Sequence, residues 1–456
     1  MISYVYDSIR FIHAADIHLG SLPHVSGELP EELNDIIKQA TYRAFARICK
    51  KAIDYNVDFL VLSGDVYDRE ARSVKAMRFF NEQCERLQKN SIPVYTITGN
   101  HDPLRERGEL LKLPENVHVI GSEQVDIREV RNKEGEVIAR ILGRSYKERV
   151  LSDRELFKHF NLPDSGVWNI GLLHTQLDPN NSNYLPCSLD DLRAVDNIHY
   201  WALGHIHKCR ILQHQWPVVA YSGIPQGRDF GEEGLGGCLL VEMNPHRAPE
   251  IKFLPLSPVV LERVEVKIDE DPDRIPGNIP ELEELVLRKA KNILDGGPVI
   301  PGGLKAVEGE IGNIEGYIIQ WVITGRGEIH QQLEEQEEEV RQVLADSLRQ
   351  RLRYEKPFIW TDSVLIRTGN QLPELEVLKD NNPVFREVEE VINLCLTDRG
   401  MREKLLEEIG QVWEINPDHE RIDETRIQLD DDMIGAIIEQ ARQLVVEKLV
   451  EGRGPK

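Results

Sequence analysis

The sequence predicts an α/β protein, a sandwich of β-sheets flanked by helices, followed by a small α+β domain and a helical C-terminal region. Three observations carry this. Over the first hundred residues, short β-rich runs alternate with helical stretches. From residue 117 to 243 the apolar runs are short and mostly strand-like. Beyond residue 258 the composition shifts and a smaller β-α-β-α-β pattern begins. Strand and helix in alternation imply parallel strands with covering helices.

The elements follow in order. "RFIHAADIH" reads as a strand and "ELNDIIKQATYRAFARICKKAIDYN" as one helix with apolar residues at helical spacing. Strand "VDFLVLSGD", helix "SVKAMRFFNEQCERLQKN" and strand "IPVYTITGN" complete the opening unit. "VHVIG", "EVIARILGRSY", "WNIGLLH", "YWALGHIH", "PVVAYSG" and "GCLLVEM" are strand-like, and "RNKEGE" suits a hairpin turn. These make a first domain over 1–258. A second, over 259–375, would hold strand "VVLERVEVKI", loop "DEDPDRIPGNIP", a helix at 280–294 and the loop "GGPVIPGG". Strand "GYIIQWVITG", a helix at 328–352 and strand "PFIWTDSVLIRT" complete it. Its "EEQEEEVRQ" run suits one solvated helix face. Residues 376–456 read as helical. Met433, Ile437, Ile438, Ala441, Val445 and Leu449 form one apolar stripe, which either packs on its own domain or docks a partner.

Composition narrows the class. The 456 residues are 41% apolar and 29% charged, ordinary for globular protein. No run of about 18 apolar residues suggests a membrane span, and "MISYVYDSIR" has no signal-peptide character. The six cysteines contain no CxxC pair, which suits reduced thiols in a cytoplasmic protein. Net charge is −23, of which −18 lies beyond residue 260. Such a chain repels phosphate at long range. A nucleic-acid reading must therefore place its attraction in bound metal or a local patch.

The strand ends are where chemistry gathers. They carry Asp16-Ile-His18, then Gly64-Asp65-Val-Tyr-Asp68-Arg69, then Gly99-Asn100-His101-Asp102, then His174, then Gly204-His205-Ile-His207. A turn accounts for one such cluster, since Gly, Asn, Asp and Pro are turn formers. It does not account for five. In open α/β sheets, sites lie beyond the carboxyl ends of strands. Asp16 and His18 are two apart, as are His205 and His207, so on extended backbone each pair would face one way. Asp65 could bridge two cations, and Asn100 adds a neutral oxygen. Imidazole, carboxylate and amide together suit Mn, Fe or Zn better than Ca or Mg. Two ions roughly 3.5–4 Å apart clamp a phosphate and activate a water for in-line attack.

In that order, DxH, GDxxDR, GNHD, a lone His after an apolar strand and GHxH resemble the calcineurin-like metallophosphoesterases, whose fold is a β-sandwich flanked by helices. "FIHAADIHLGS", "DFLVLSGDVYDRE", "TGNHDP" and "YWALGHIHK" resemble the SbcD family of DNA repair nucleases; "NYLPCSLDDL" and "SGIPQGR" look closest to its YhaO-like bacterial branch. The resemblance covers about residues 10–240. It implies one metal on Asp16, His18, Asp65 and His207, and a second on Asp65, Asn100, His174 and His205, most often Mn2+. It implies His101 as the acid that protonates the leaving oxygen, with Asp68 orienting it. Arg69 would bind phosphate or form a surface ion pair, and Arg105 is a second candidate for substrate contact. It further implies DNA as substrate, exonuclease action on duplex ends and endonuclease action on single strands. Residues 259–375 would be a capping domain, the tail would dock an SbcC-type coiled-coil ATPase, and a homodimer is compatible.

Other readings compete. The same ligands serve phosphoesterases of small molecules or cyclic nucleotides, and the fold also serves as a non-catalytic scaffold. Every ligand position is filled, which argues against the scaffold. The extra domain and tail argue against a small-molecule enzyme. His13, His199 and Tyr200 suit packed core. Lys208 and Arg210 face either DNA or solvent. "GEEGLGG" lacks the GK[ST] ending of a P-loop and reads as a mobile loop near the site. Arg105, Arg107, Arg128, Arg131, Lys133, Arg140, Arg144, Lys147 and Arg149 concentrate positive charge, with acids interspersed.

Overall fold

The computed structural model describes residues 7–68, 73–104, 111–151, 153, 156–160, 166–177, 184–305, 314–371, 382–398, 400–401, 435, 437–438, 441–442 and 444–445. It contains two compact units. The first comprises Met1–Lys267, Asn278–Thr324 and Gln336–Arg367; the second comprises Ile268–Gly277, Gly325–Glu335 and Thr368–Lys456.

In the first unit, one sheet is built from β1 (Ile9–Ala14), β2 (Phe59–Ser63), β3 (Val94–Ile97), β4 (Val117–Val119), β11 (Gly237–Asn244) and β12 (Arg247–Pro255). Its order is β12-β11-β1-β2-β3-β4. The expected parallel core is present: β1, β2, β3 and β4 run parallel, and β11 joins β1 antiparallel. A second sheet holds β5 (Asp126–Arg131), β6 (Val137–Gly143), β7 (Trp168–His174), β8 (Tyr200–Gly204), β9 (Arg210–Gln213) and β10 (Val218–Tyr221), with the short helix α4 (Leu189–Arg193) between β7 and β8. Its order is β5-β6-β7-β8-β10-β9. The hairpin at "RNKEGE" joins β5 to β6, with Gly135 at φ 86°.

The sheets pack face to face. Phe11 and His13 on β1 meet Tyr200 on β8, and the Ser63 hydroxyl donates to the Ala202 carbonyl at 3.0 Å. Alternate residues of β1 point the other way: Ile12 and Ala14 join Phe45, Ile48 and Phe80 beneath the helices α2 (Ala40–Asp54) and α3 (Val74–Lys89). Both faces of the central strands are therefore dry, which explains their near-continuous apolar runs. His13 and Tyr200 are core, as the sequence suggested. The His13 nitrogens meet the Tyr200 hydroxyl at 3.0 Å and the Leu203 carbonyl at 3.2 Å, and burial pushes its pKa down to about 3. His199 is half-buried against Trp168 and Trp216.

Two helices differ from expectation. The single helix over 32–56 is two, α1 (Glu31–Lys38) and α2, broken at Gln39 (φ −98°, ψ 0°). The reason is packing. α1 turns Leu33 and Ile37 onto the small sheet, against Val259, Leu261, Ile318, Phe358 and Trp360, whereas α2 faces the large core. The small sheet is β13 (Val259–Lys267), β14 (Gly316–Arg326) and β15 (Phe358–Gly369), with β13 and β14 parallel. Its helices in the first unit are α5 (Ile279–Gly296) and α7 (Glu337–Leu352). The helix expected over 328–352 likewise breaks, at Gln336, into α6 (His330–Glu335) and α7. Glu337, Glu338 and Glu339 are exposed, a solvated face as expected.

In the second unit, α8 (Pro383–Thr397) buries Ile392 and Cys395 against Ile438. Val384, Val391 and Leu394 are exposed on the same helix. Met433 and Leu449 of the predicted stripe lie outside the described residues. All six cysteines are buried, with no disulfide among them. No described helix is long and apolar enough to cross a membrane.

Candidate metal centre

The carboxyl ends of β1, β2, β3, β7 and β8 deliver the side chains the sequence singled out. The means differs from expectation. Asp16 and His18 do not lie on extended backbone: β1 ends at Ala14, and their φ angles are 51° and 44°. Asp65 (φ 49°) and His205 (φ 93°) are left-handed too. Asp and His visit this region more readily than most residues, yet each such residue costs about 1–3 kcal/mol. The surroundings hold them there. Asp16 N–H donates to Gly64 O at 3.1 Å, His18 N–H to Asp65 O at 3.1 Å and Leu19 N–H to Val66 O at 2.9 Å, so the loops stay paired beyond the strands. Two glycines permit the approach. A Cβ on Gly64, itself at φ 95°, would sit 2.5 Å from His174 Nδ1, and one on Gly204 would collide with the Ser63 carbonyl.

Asp16, Asp65, His18 and His174 are buried together. The His205 N–H donates to both Asp16 oxygens at 3.1 Å, and the His101 N–H donates to Asp65 Oδ1 at 2.9 Å. Asn100 Oδ1 lies 3.0 Å from His174 Nε2 and 3.3 Å from His205 Nδ1. His18 Nε2 faces His207 Nε2 at 3.4 Å. His101 Nδ1 sits 3.1 Å from Asp68 Oδ1, and its side chain is 41% exposed. Asp102 is a brace: its Oδ1 accepts from Gly99 N–H at 2.9 Å and its Oδ2 from Val66 N–H at 3.1 Å.

The electrostatics follow from burial against charge. Burial disfavours the His174 imidazolium, but the adjacent Asp65 carboxylate outweighs it and lifts the pKa to about 9. Burial likewise disfavours ionised Asp65, and the charged His174 imidazolium overrides it, holding that carboxyl below its usual range. Burial pushes Asp16 up. It pushes His18 down to about 3 and His205 down to about 4. The hydrogen bond to Asp68 raises His101, against the pull of burial.

These side chains fit divalent cations on their hydrogen-bond geometry alone. His174 Nδ1–H donates to the Ser63 carbonyl at 2.9 Å, so its Nε2 lone pair faces Asp65 Oδ2 at 3.2 Å and the Asn100 oxygen. Acceptors on every side demand a proton or a metal ion. His207 Nδ1–H donates to Glu232 Oε1 at 2.6 Å, turning its Nε2 lone pair toward His18. His18 Nδ1 is buried without a hydrogen-bond partner among the described residues. Ligand-type atoms within 4.8 Å of one another form three overlapping groups: Asp16, His18 and His207; Asp16, Asp65 and His174; and His18, Asp68 and His101.

Arg69 and Arg105 lie outside the described residues, as does Arg107. Lys208 and Arg210 are exposed. Within the basic stretch, Arg128 pairs with Asp126, Arg131 with Glu129, Arg144 with Asp153 and Lys147 with Glu123. Four of the nine cations in that stretch are thus paired with neighbouring acids. Two groups went unrecognised. Glu232, inside "GEEGLGG", grips His207, and Arg228, the last residue of "SGIPQGR", reaches Asp68 at 3.1 Å. Neither has a local signature, because their partners are 25 and 160 residues away. The Tyr184 ring lies 4.6 Å from that of His205.

Residues 9–209 match the calcineurin-like phosphoesterase family. The chain is 38% identical over 237 residues to an uncharacterized metallophosphoesterase, YhaO, of Bacillus subtilis, covering 52% of this chain and 57% of that one. It is 31% identical over 247 residues to the DNA double-strand break repair protein Mre11 of Methanocaldococcus jannaschii, covering 51% and 62%. The chain thus spans less than two thirds of the length of these relatives. A dimetal phosphatase from Danio rerio superposes at 10% identity with a TM-score of 0.34, over 55% of this chain and 99% of that one.

Proposed function

We propose, on the premise that residues 9–209 form a calcineurin-like phosphoesterase domain, that this chain is a two-metal phosphodiesterase acting on DNA, an exonuclease and endonuclease of SbcD type. The observation that carries the reading is the convergence of seven ligand-type side chains from five strand ends, four of them buried, on one cluster of lone pairs. One cation would take Asp16, His18, Asp65 and His207. The other would take Asp65, Asn100, His174 and His205. Mn2+ suits this donor set. Bound there, the ions supply Lewis acidity and a nucleophilic water.

The chain's own groups do the rest. Asp65 would share its negative charge between both cation positions, and Ser63 and Glu232 fix the tautomers of His174 and His207. Asp68 holds His101 by Nδ1, so on this reading the proton leaves from Nε2 of a half-open ring. The raised pKa keeps a proton available for a departing oxygen. Similarity to Mre11, a DNA double-strand break repair protein, supports DNA as the substrate. The net charge of −23 makes local cations the means of drawing in a phosphodiester. On this reading residues 259–375 form a capping domain. The exposed Val384, Val391 and Leu394 of α8 suit a dock for an SbcC-type ATPase, and a homodimer is compatible.

The test is one purified sample reconstituted with Mn2+ and assayed for bound metal and for hydrolysis of duplex DNA, single-stranded circles and bis(p-nitrophenyl) phosphate. Two ions per chain and cleavage of DNA are expected. Cleavage of the small diester alone would favour a small-molecule phosphoesterase, and fewer than two ions would overturn the site as drawn. Removing residues 376–456 should abolish co-purification with a co-expressed SbcC-type ATPase while sparing the small diester.

A further inference from the structure

Between the His207 position and the His101 position runs a chain of charged side chains that the metallophosphoesterase reading does not use. His207 Nδ1 donates to Glu232 Oε1 at 2.6 Å. Arg228 Nη2 donates to the same oxygen at 2.6 Å, while its Nε and backbone N–H reach Glu232 Oε2 at 3.1 and 2.8 Å. Arg228 Nη1 donates to Asp68 Oδ2 at 3.1 Å. The other oxygen of Asp68 meets His101 Nδ1 at 3.1 Å. Ser21 donates to Asp68 Oδ2 at 3.2 Å, and Arg228 O accepts from His24 N–H at 2.6 Å. The Arg228 and Glu232 side chains are 14% and 9% exposed, so little solvent competes for these bonds.

We propose that Arg228 and Glu232 are positioning residues, one guanidinium setting at once the ring of a metal-ligand histidine and the ring of the proton donor. Each link has a chemical reason. A carboxylate on Nδ1 fixes the tautomer whose Nε2 can bind a cation and makes that nitrogen a better donor. A planar guanidinium offers donors in a fixed fork, so it holds two carboxylates at a set separation as an ammonium cannot. With Oδ2 of Asp68 engaged by Arg228 and Ser21, its Oδ1 is left for His101. Arg228 is thereby committed on both edges, which separates it from an arginine that binds phosphate directly.

The inference rests on the two-metal reading, and the experiment keeps the two apart. Full-length wild type, Glu232→Gln, Arg228→Ala and Arg228→Lys are compared in three measurements: melting of the metal-free protein, Mn2+ affinity by competition with a fluorescent chelator, and kcat on DNA and on bis(p-nitrophenyl) phosphate at saturating Mn2+. Glu232→Gln should weaken one of the two Mn2+ sites by about 10–100-fold and leave the other unchanged. Arg228→Ala should lose more kcat on DNA, whose leaving oxygen needs a proton, than on the nitrophenyl diester, which needs none. Arg228→Lys should recover melting without recovering that ratio. Wild type that binds no Mn2+ overturns the metal reading and this inference with it. Wild type that binds two ions, with unchanged affinity in Glu232→Gln or with equal losses on both substrates in Arg228→Ala, overturns the positioning role alone.

Discussion

Asp16, His18, Asp65 and His174 have side chains no more than 1% exposed, whereas those of Asp68 and His101 are 22% and 41% exposed. The buried set is a floor, held by left-handed backbone, by loop ladders and by glycines that let strands touch. The half-open set is a rim, held by side chains from distant loops. A floor of two carboxylates facing imidazole lone pairs is electrostatically incomplete without added positive charge. A rim of alternating acid and base is complete in itself. The floor thus suits the cations proposed for it, and the rim suits groups oriented around them.

The contrast breaks first at Asp65. Replacing it with Ala removes the one carboxylate shared by both proposed cation positions. Metal content should fall toward zero, and DNA hydrolysis should be abolished, with binding of DNA at the site weakened. Atomic absorption after Mn2+ reconstitution checks this. Two ions retained in Asp65→Ala would show that the floor does not hold the metals.

The rim should behave otherwise. His101→Ala removes no proposed ligand, so metal content and DNA affinity should stay near wild type. Turnover on DNA should drop by roughly 100-fold or more, the usual scale for a lost general acid. On bis(p-nitrophenyl) phosphate the loss should be much smaller, because nitrophenolate leaves without a proton. Equal losses would make His101 a stabiliser of transition-state charge, and lost metal would move it to the floor.

Legibility divides along the same line. The floor was readable because its residues close strands whose apolar runs are unmistakable, and because Asp, Asn and His recur at five such ends. What could not be read was how they converge. Spacing of two suggested extended backbone at Asp16 and His18, whereas φ angles of 51° and 44° turn them inward; only the loop ladder to residues 64–66 dictates that. The rim hid for a related reason. A glutamate in "GEEGLGG" looks solvated, and nothing local announces a bond to His207 25 residues earlier. The break at Gln39 was equally silent. Leu33 and Ile37 share helical spacing with Phe45 and Ile48, and periodicity reveals an apolar face without revealing which core it meets.

Asp102 gives the smallest effect and the sharpest test of where floor becomes rim. It adjoins His101 in sequence, but it is 2% exposed and accepts from Gly99 N–H and Val66 N–H. It therefore ties the loop carrying Asn100 to the loop carrying Asp65. Asp102→Ala strands two backbone donors, with a penalty of about 1–3 kcal/mol for each buried donor left unpaired. Asp102→Asn keeps one acceptor oxygen and turns an NH2 toward the other donor, so it should fall between Ala and wild type. Denaturant unfolding measures the stability, and Mn2+-saturated hydrolysis of both substrates measures the chemistry. A brace predicts lost stability with similar, modest losses of rate on DNA and on the nitrophenyl diester, since both need the same cation spacing and only one needs a proton. Unchanged stability with a loss confined to DNA would instead put Asp102 in the proton path beside His101, and the division drawn between floor and rim would fail at that residue.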